Sequence, residues 1–425
     1  MNDLTCIIIG GGHAGLAALK AIQATTRGMA NGRRIRFVLF DKQPGHVRKV
    51  MLFRPAAGGE EIMVPWTHYC SDGVEFVQGT VTSVDSGGKQ IRYEDAQGND
   101  ARIRYDLLVV AVGSIVRRPD PDQGGIALTD PQAAADIRER WRANLRKASG
   151  ETNPEERKRL MTIAVAGAGI SGIETSAELA LAMRKEAATL GLSLSDTSVY
   201  LLNAQGRLFP EGPEKVGRKL DQTLSECGVT VLHNRKAMRE EAGAVTLSNG
   251  DCLAVGLCIW TLGLIPNPVL RGMGLPLTSD GRVLVDECYR VQGMPGVYSI
   301  GDCARIVDPT TGKADQMTCK EGGFQALRLG KIVIADLEGR PTPVHKSLMD
   351  AFAIGLGENR GLMWARKWGL NIIITGKLGW KIKKLAWDLA SQLRTRPRLQ
   401  YFEQPKKGDT ANGGTIRSIF KNHDR

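Results

Sequence analysis

The sequence predicts an α/β protein built around two copies of one strand–turn–helix–strand unit. The chain has 425 residues, which is too long for one ordinary hydrophobic core, so two or three domains are expected. Two short apolar runs rich in β-branched or small residues, 5–9 and 161–166, are each followed by a glycine turn and a helical pattern. Such runs are typical of strands that are buried on both faces of a parallel sheet.

The first unit spans residues 5–41. A glycine-rich turn at 10–15 connects the first strand to an Ala-rich helix over 16–24, and a second strand over 36–40 ends in an acidic residue. In a G-x-G-x-x-G turn the first glycine permits the tight turn, the second lets the backbone approach a pyrophosphate, and the third lets the helix pack closely on the strand. The helix N-terminus adds amide donors and the positive end of a dipole. The residues predicted to form this nucleotide site are Gly10, Gly12, Gly15 and Asp41.

The same pattern returns 157 residues later, from Gly10 to Gly167. Gly169 and Gly172 complete the second turn, and a helix over 173–185 and a strand over 198–202 are predicted after it. One such turn is a weak indication, because glycine turns also occur for packing alone. Two copies in the same context predict two Rossmann-like dinucleotide-binding domains. We assign residues 1–130 and 283–345 to the first domain, 131–282 to the second, and 346–425 to a C-terminal segment.

The remaining elements follow from local patterns. Alternation over 74–84 and 90–106 predicts a small antiparallel meander, and apolar runs at 106–113, 257–263 and 297–302 predict further buried strands. Helical periodicity predicts three more helices. They are expected over 131–148, 221–228 and 322–338.

Composition and charge exclude several classes of protein. Hydrophobic residues make up 42% of the chain and charged residues 24%, which excludes a disordered or fibrous protein. The formal net charge is +12, but residues 360–425 contain 15 Lys or Arg and four acids, so that +11 lies in this part. The rest of the chain is therefore close to neutral. No recognition motif for nucleic acid accompanies the basic part, so nucleic-acid binding is not expected.

The eight cysteines are scattered along the chain, and no C-x-x-C occurs. This distribution is typical of a reducing compartment and predicts neither a disulfide framework nor a metal site. The N-terminus lacks the pattern of a signal peptide, and no run approaches the ~18 apolar residues of a membrane span. A cytoplasmic protein is therefore expected.

Several segments resemble one family of proteins. Segments 105–114 and 297–304, together with the two glycine turns, are similar to the two-dinucleotide-binding-domain flavoproteins. Within that family, 160–179 and 260–268 resemble type II NADH dehydrogenases and the apoptosis-inducing-factor-like NAD(P)H:quinone oxidoreductases. Segment 52–58 resembles the part of these enzymes that passes the isoalloxazine. The resemblance implies FAD in the first domain and NADH or NADPH as co-substrate in the second.

The resemblance also implies the residues of both nucleotide sites. FAD is expected to contact Gly10, Gly12, His13, Ala14, Gly15, Asp41, Lys42, Arg54, Val81, Ala111, Gly113, Gly301 and Asp302. The nicotinamide co-substrate is expected to contact Gly167, Gly169, Ser171, Gly172, Asn203, Arg207 and Gly263.

Two residues are candidates for catalysis. Glu174 follows the second glycine turn, where members of the family place a carboxylate beside the contact between nicotinamide and flavin. An acid there can orient the carboxamide or relay a proton to the acceptor. The alternative is that the helix dipole simply favours an acid near the N-terminus. Lys320 stands where type II dehydrogenases carry the Gln of a quinone-site motif, which leaves the acceptor open.

The end of the second unit departs from the family pattern. NAD-specific enzymes usually have Glu or Asp where this chain has Asn203. A neutral side chain removes repulsion against a 2′-phosphate, and Arg207 lies four residues further on, so that NADPH becomes an option. The alternative is that Asn203 binds the ribose and that Arg207 is solvated.

The C-terminal segment predicts a basic amphipathic helix. Its apolar face comprises Leu378, Ile382, Leu385, Leu389 and Leu393, and its other positions include Lys377, Lys381, Lys383, Lys384 and Arg394. With four tryptophans nearby, this composition is typical of an interfacial membrane helix. Peripheral contact with the inner face of the cell membrane is therefore expected through 361–398. The alternative is a helix whose Leu stripe packs on the protein's own core. Residues 406–425 are expected to form a flexible tail.

Four functions follow from these patterns. The leading hypothesis is an FAD-dependent NAD(P)H:quinone oxidoreductase that reduces a lipophilic acceptor. A homodimer is compatible with this function. A soluble FAD-dependent oxidoreductase that acts on a biosynthetic aromatic substrate is the first alternative. The others are an enzyme like sulfide:quinone oxidoreductase and a redox-sensing flavoprotein that acts by partner binding.

Overall fold

A computed structural model of the protein describes residues 3–70 and 73–391. The first part of the chain forms mainly strands. They are β1 (Leu4–Ile9), β2 (Met29–Ala30), β3 (Arg33–Asp41), β4 (Gly45–Val47), β5 (Met63–Pro65), β6 (Val74–Asp85), β7 (Gln90–Asp95), β8 (Asp100–Arg104), β9 (Leu107–Val110), β10 (Ser114–Val116) and β11 (Ile126–Ala127). Its helices are α1 (His13–Thr26) and α2 (Phe53–Ala57).

The middle of the chain alternates helices with strands. Its helices are α3 (Pro131–Gly150), α4 (Pro154–Leu160), α5 (Ile170–Thr189) and α6 (Glu214–Cys227). Its strands are β12 (Thr162–Ala166), β13 (Ser198–Asn203), β14 (Val229–His233), β15 (Ala237–Glu241), β16 (Ala244–Leu247), β17 (Cys252–Ala254), β18 (Leu257–Trp260) and β19 (Leu264–Pro266).

The last part of the described chain begins with short strands. They are β20 (Val283–Leu284), β21 (Val297–Ser299) and β22 (Ala304–Arg305), and helix α7 (Cys319–Leu337) follows. The remaining elements are β23 (Ala351–Gly355), β24 (Gly361–Lys367), β25 (Leu370–Thr375) and helix α8 (Gly376–Ala390).

The first sheet has the strand order β21-β9-β1-β3-β6-β7-β8. The pairs from β21 to β6 are parallel, whereas β6, β7 and β8 form the predicted antiparallel meander. Strand β1 lies in the middle of the sheet and is almost entirely buried, as its uninterrupted apolar sequence predicts. Because β21 comes from residues 297–299, this sheet contains strands from before and after the second unit along the chain.

The second sheet is parallel throughout and has the order β11-β18-β12-β13-β14. Its glycine turn occupies the same place, between β12 and α5, as the first turn occupies between β1 and α1. The predicted α/β class with two Rossmann-like units is therefore confirmed. The largest difference between a predicted and an observed boundary is at α6, which begins at Glu214, seven residues before the predicted start at Asp221. Its buried positions Val216, Gly217, Leu220, Leu224 and Cys227 share one helical face that extends over the whole element.

The C-terminal segment forms a small antiparallel sheet, β23-β24-β25, that packs against α8. The predicted helix is present, but α8 ends at Ala390 in the described chain. Leu393, Arg394 and the tail over 406–425 lie outside the described residues. Among the described helices, none is long and apolar enough to cross a membrane.

Candidate active site

The two glycine turns have matching geometry. At Gly10 the backbone is left-handed (φ +100°), and a Cβ there would lie 2.5 Å from the carbonyl oxygen of Ala111. Gly167 repeats this (φ +116°) against the carbonyl oxygen of Thr261 at 2.4 Å. Both positions therefore require glycine.

The third glycine of each turn permits the close packing of helix on strand. A Cβ at Gly15 would lie 1.8 Å from the carbonyl oxygen of Gly10, and one at Gly172 would lie 1.8 Å from that of Gly167. Each helix can therefore begin directly against its strand only because these positions carry no side chain.

The second glycine of each turn faces open space. A Cβ at Gly12 or at Gly169 would meet no atom within 4 Å. Each of these glycines is the N-cap residue of its helix, α1 or α5, and no side chain caps either helix. The amide donors of each first turn are thus available to a ligand. This donor set and open approach fit a dinucleotide pyrophosphate at both turns, FAD on the first unit and the nicotinamide co-substrate on the second.

Asp41 holds the first turn in place. One carboxylate oxygen of Asp41 accepts from the backbone N–H of Gly11 at 2.7 Å, and the other accepts from that of Gln43 at 2.8 Å. Burial raises the pKa of Asp41, and these two backbone donors oppose the rise. His46 supports the same turn, because its Nδ1 lies 2.9 Å from the carbonyl oxygen of Gly11.

The Gly301-Asp302 turn meets the N-terminus of α1. A Cβ at Gly301 would lie 2.8 Å from the Cβ of Ala14, and the amide of Gly301 donates to Gln325 Oε1 on α7 at 2.7 Å. Asp302 accepts a hydrogen bond of 2.6 Å from the Ser114 hydroxyl. Burial raises the pKa of Asp302, whereas the Ser114 hydroxyl and the Lys49 ammonium oppose the rise. The sequence analysis missed both Ser114 and Lys49.

The other residues expected at FAD differ in their accessibility. Gly113 has a left-handed backbone and open space around it, and Lys42 is exposed at the end of β3. Val81 is instead buried in the core beside the first sheet, so its side chain is unavailable to a ligand. Gln78 is the residue of β6 that pairs with Asp41.

Asn203 and Arg207 are both held by neighbouring protein groups. Asn203 Nδ2 lies 3.0 Å from His233 Nδ1, and Asn203 Oδ1 accepts from the backbone N–H of Gln205. The Arg207 guanidinium donates to the carbonyl oxygens of Phe209, Pro210 and Gly212. The alternative that Arg207 is merely solvated loses support, since this side chain closes its own loop. Ser171 lies on the first turn of α5, and Gly263 has open space around it (φ +84°).

Glu174 forms a buried ion pair with Lys383. Glu174 Oε1 lies 2.7 Å from Lys383 Nζ and accepts from the backbone N–H of Gly355 at 2.7 Å. The side chains of Glu174 and Lys383 are 4% and 10% exposed. Burial raises the pKa of Glu174, and the Lys383 ammonium opposes the rise. Lys383 was assigned to the outer positions of the C-terminal helix; that assignment is wrong, because the structure turns it inward to Glu174.

Arg54 lies between α5 and α8 and not in open space. Its guanidinium is 5.3 Å from the ring centres of both Trp380 and Trp387, and its Nη2 lies 3.6 Å from Glu178 Oε1. Stacking on two indoles stabilises the cation. Arg54 thus connects the segment over 52–58 to the helix that supplies Lys383.

Lys320 lies near the same C-terminal sheet. Its Nζ donates to the carbonyl oxygen of Met349 at 3.0 Å and lies 5.7 Å from the ring centre of Phe352. Burial lowers the pKa of Lys320. Because Glu174 contacts Gly355 at the other end of β23, the structure places both candidate catalytic residues along this strand.

Helix α8 also contacts the first unit. His13 Nδ1 lies 2.7 Å from the carbonyl oxygen of Ala390. The Tyr69 hydroxyl donates to the carbonyl oxygen of Ser391 at 2.7 Å, and Arg48 Nε donates to the Ser391 hydroxyl at 2.7 Å. One helix therefore connects the first turn of α1 with Glu174 on α5.

Thr318→Ala tests the start of α7, which carries Lys320. The Thr318 hydroxyl accepts from the backbone N–H of Glu321 and donates to its carboxylate. Loss of such a cap is expected to lower the free energy of unfolding by about 1 kcal/mol, measured by urea denaturation. Thr223→Ala on α6 is the control, and we expect it to change stability by no more than about 0.5 kcal/mol. Equal losses in both variants would contradict the capping role.

Comparison with known proteins gives consistent results. Residues 4–325 match the family described as pyridine nucleotide-disulphide oxidoreductase. The oxidoreductase ptaL of Pestalotiopsis fici is 29% identical over an alignment of 376 residues that covers 84% of this chain and 90% of that protein. The type II NADH:quinone oxidoreductase of Haemophilus influenzae is 24% identical over an alignment of 373 residues that covers 80% of this chain and 82% of that protein.

A solved structure has the same fold. NDH2 from Plasmodium falciparum in complex with NADH superposes with a TM-score of 0.76 at 17% sequence identity, and the match covers 92% of this chain and 96% of that one. The resemblance to two-dinucleotide-binding-domain flavoproteins that the sequence predicted is therefore confirmed.

Proposed function

Because the chain belongs to the pyridine nucleotide-disulphide oxidoreductase family, we propose that it is an FAD-dependent NAD(P)H:quinone oxidoreductase. The observation that carries this proposal is the buried Glu174–Lys383 pair, which lies on the helix of the second glycine turn and beside the C-terminal sheet. The sequence contains no C-x-x-C, so a redox-active disulfide of that kind is not the acceptor. Relatives named as NADH dehydrogenases or quinone oxidoreductases support the same assignment.

The protein uses FAD and a nicotinamide co-substrate, NADH or NADPH. When bound, FAD would supply the two-electron redox chemistry between the nicotinamide and the acceptor. The amide donors of α1 and α5 would hold the two pyrophosphates, and the Gly301-Asp302 turn would hold FAD beside the first turn. The protein's own contribution is therefore binding, orientation and control of charge.

The Glu174–Lys383 pair supplies a proton to the reduced acceptor. An ammonium that shares a hydrogen bond with a carboxylate can donate a proton to the reduced acceptor, and the pair, which then carries one net negative charge, recovers a proton afterwards. Lys320, at the other end of β23, contributes positive charge on the acceptor side. A quinone becomes more basic as it is reduced, and nearby cations stabilise the negative charge that develops.

In this proposal the protein binds a membrane surface and meets its lipophilic acceptor there. Large apolar side chains are exposed on the β24–β25 hairpin and on α8. These residues are Trp368 (80% exposed), Leu370 (70%), Ile372 (45%), Leu378 (44%) and Leu385 (44%). Since Leu378 and Leu385 do not pack on the protein's core, the alternative assignment of the Leu stripe to that core loses support. Exposed Lys377, Lys381 and Lys384 on the same helix favour an anionic leaflet. We place the protein at the inner face of the cell membrane.

Substitution of Trp368 and Leu370 by Ser tests this surface. Burial of a large apolar side chain contributes about 1.5–3 kcal/mol, so we expect at least about tenfold weaker binding of the double variant to anionic vesicles in a sedimentation assay. Leu194→Ser removes a side chain that is 48% exposed on the second unit and serves as the control. Unchanged vesicle binding by the double variant would exclude this hairpin as the contact.

Reduction of the bound flavin tests the proposed function directly. Anaerobic addition of NADH or NADPH is expected to bleach the flavin absorbance, and a quinone is expected to restore it. The function is refuted if neither nicotinamide bleaches the flavin. Rapid mixing with each nicotinamide separately also measures the preference between them.

A soluble oxidoreductase that acts on an aromatic substrate is the second candidate. It is favoured by Lys320, which replaces the Gln of the quinone-site motif, and by the relative from Pestalotiopsis fici, which is named only as an oxidoreductase. Full activity with a water-soluble aromatic acceptor and no increase with lipid would favour this candidate over the membrane enzyme.

A further inference from the structure

A second carboxylate lies on the same helix face as Glu174. Glu178 follows four residues later on α5, so the two side chains are neighbours on the helix surface. The Glu178 side chain is 13% exposed. Burial raises the pKa of Glu178; Arg54 opposes the rise, and the negative charges of Glu174, Glu60 and Glu358 add to it. Burial and a neighbouring carboxylate both favour the protonated form of an acid, and shifted acids of this kind occur at sites of proton transfer.

The surroundings of Glu178 contain polar atoms without direct partners. Among the described residues, no group hydrogen-bonds to Glu178 Oε1, Arg54 Nε or Trp387 Nε1, although all three atoms are buried. The distance of 3.6 Å from Arg54 Nη2 to Glu178 is longer than a hydrogen bond. Buried polar atoms that have no direct partner commonly hydrogen-bond to water. Such waters would provide the connections that proton transfer requires.

The same group of side chains reaches solvent. Arg54 Nε lies 3.9 Å from Glu60 Oε2, and the Glu60 side chain is 46% exposed. On the inner side, Glu174 accepts from Lys383 and Gly355. Glu178 thus lies between an exposed carboxylate and the buried ion pair, and Arg54 lies close to both Glu178 and Glu60.

We propose that Glu178 conducts protons from solvent to Glu174, so that the Glu174–Lys383 pair is reprotonated after each turnover. The inference rests on the proposed function. Reduction of a quinone consumes NAD(P)H, one solvent proton and the quinone, and yields NAD(P)⁺ and the quinol. The hydride supplies both electrons and one of the two protons of the quinol. The second proton enters through Glu178, passes to Glu174 and leaves from the ion pair to the quinol oxygen.

Glu178→Gln in the FAD-loaded enzyme tests the relay. Gln keeps the size of the side chain and an oxygen near Arg54, but it cannot carry a proton. We expect quinone turnover to fall by at least about tenfold, since positioned proton transfer contributes ~10²–10⁴-fold. Bleaching of the flavin by NAD(P)H and turnover with ferricyanide, which takes electrons without protons, are expected to stay within about twofold. The solvent deuterium isotope effect on quinone turnover should rise.

Glu186→Gln is the matched control. Glu186 lies on the same helix and pairs with Arg142 at 3.2 Å, so the substitution removes a comparable ion pair outside the relay. Glu178→Asp keeps a titratable group and is expected to recover part of the quinone turnover. If Glu178→Gln lowers quinone and ferricyanide turnover equally, or leaves quinone turnover unchanged, the relay is refuted. A wild-type enzyme that oxidises NAD(P)H with ferricyanide but reduces no quinone overturns both the relay and the proposed function.

Discussion

Lys383→Met is expected to lower the free energy of unfolding by about 3–5 kcal/mol at neutral pH, because it leaves the Glu174 carboxylate buried without its partner ion. The loss should depend on pH. Without the ammonium, the pKa of Glu174 in the folded protein rises further above its value of ~4.3 in the unfolded chain. Below that value both states are protonated and the variant loses little, whereas the loss grows as the pH rises from that value to the raised pKa of the folded state. Urea denaturation at several pH values measures it.

Two variants separate the ion pair from general effects on α8. Lys384→Met changes the next residue, which is exposed, and should alter stability by less than about 0.5 kcal/mol. The double variant Lys383→Met/Glu174→Gln removes both charges and keeps an acceptor for the Gly355 amide. We expect it to be more stable than Lys383→Met alone. A double variant that is less stable than either single variant would argue against a buried ion pair.

Gly12→Ala and Gly169→Ala are each expected to weaken the binding of one nucleotide. Both residues have extended backbones (φ −69° and −70°) that alanine adopts without strain, and the new methyl group meets no protein atom within 4 Å. It does enter the space through which a pyrophosphate approaches the helix N-terminus. An overlap of this kind costs about 1–3 kcal/mol, which corresponds to about 5- to 150-fold in affinity.

The two alanine variants are controls for each other. Gly12→Ala should be purified with reduced flavin content, whereas Gly169→Ala should retain its flavin and show a raised KM for NAD(P)H. Both should unfold at the same urea concentration as the wild type when FAD is removed. Loss of flavin in Gly169→Ala with none in Gly12→Ala would reverse our assignment of the two units.

Local sequence patterns were sufficient for the two nucleotide units. The glycine spacing has steric causes that act within a few residues, such as the 1.8 Å approach at Gly15, and a short segment therefore predicts the turn. The C-terminal helix was harder, because two different faces of α8 each have a helical spacing. The Leu face is the more apolar one, yet the buried face contains Gly379, Lys383, Trp387 and Ala390.

The partner of Lys383 could not be found from the C-terminal sequence alone. A lysine in a basic segment is normally exposed, and the reason for its burial is a carboxylate on a distant helix, Glu174. Similarly, the role of Arg207 depends on three carbonyl groups whose positions result from the path of its loop. These features depend on tertiary contacts, which residue spacing does not encode.

The position of α8 has a consequence for biosynthesis. The contact between His13 and Ala390 joins residues 377 positions apart, and that between Tyr69 and Ser391 joins residues 322 positions apart. During translation both nucleotide units leave the ribosome before α8, and domains generally fold in the order in which they emerge. Lys383 therefore follows both nucleotide units, and a nascent chain is expected to bind its nucleotides before the Glu174–Lys383 pair forms. A chain truncated before Lys383 is expected to bind its flavin but to lack this pair.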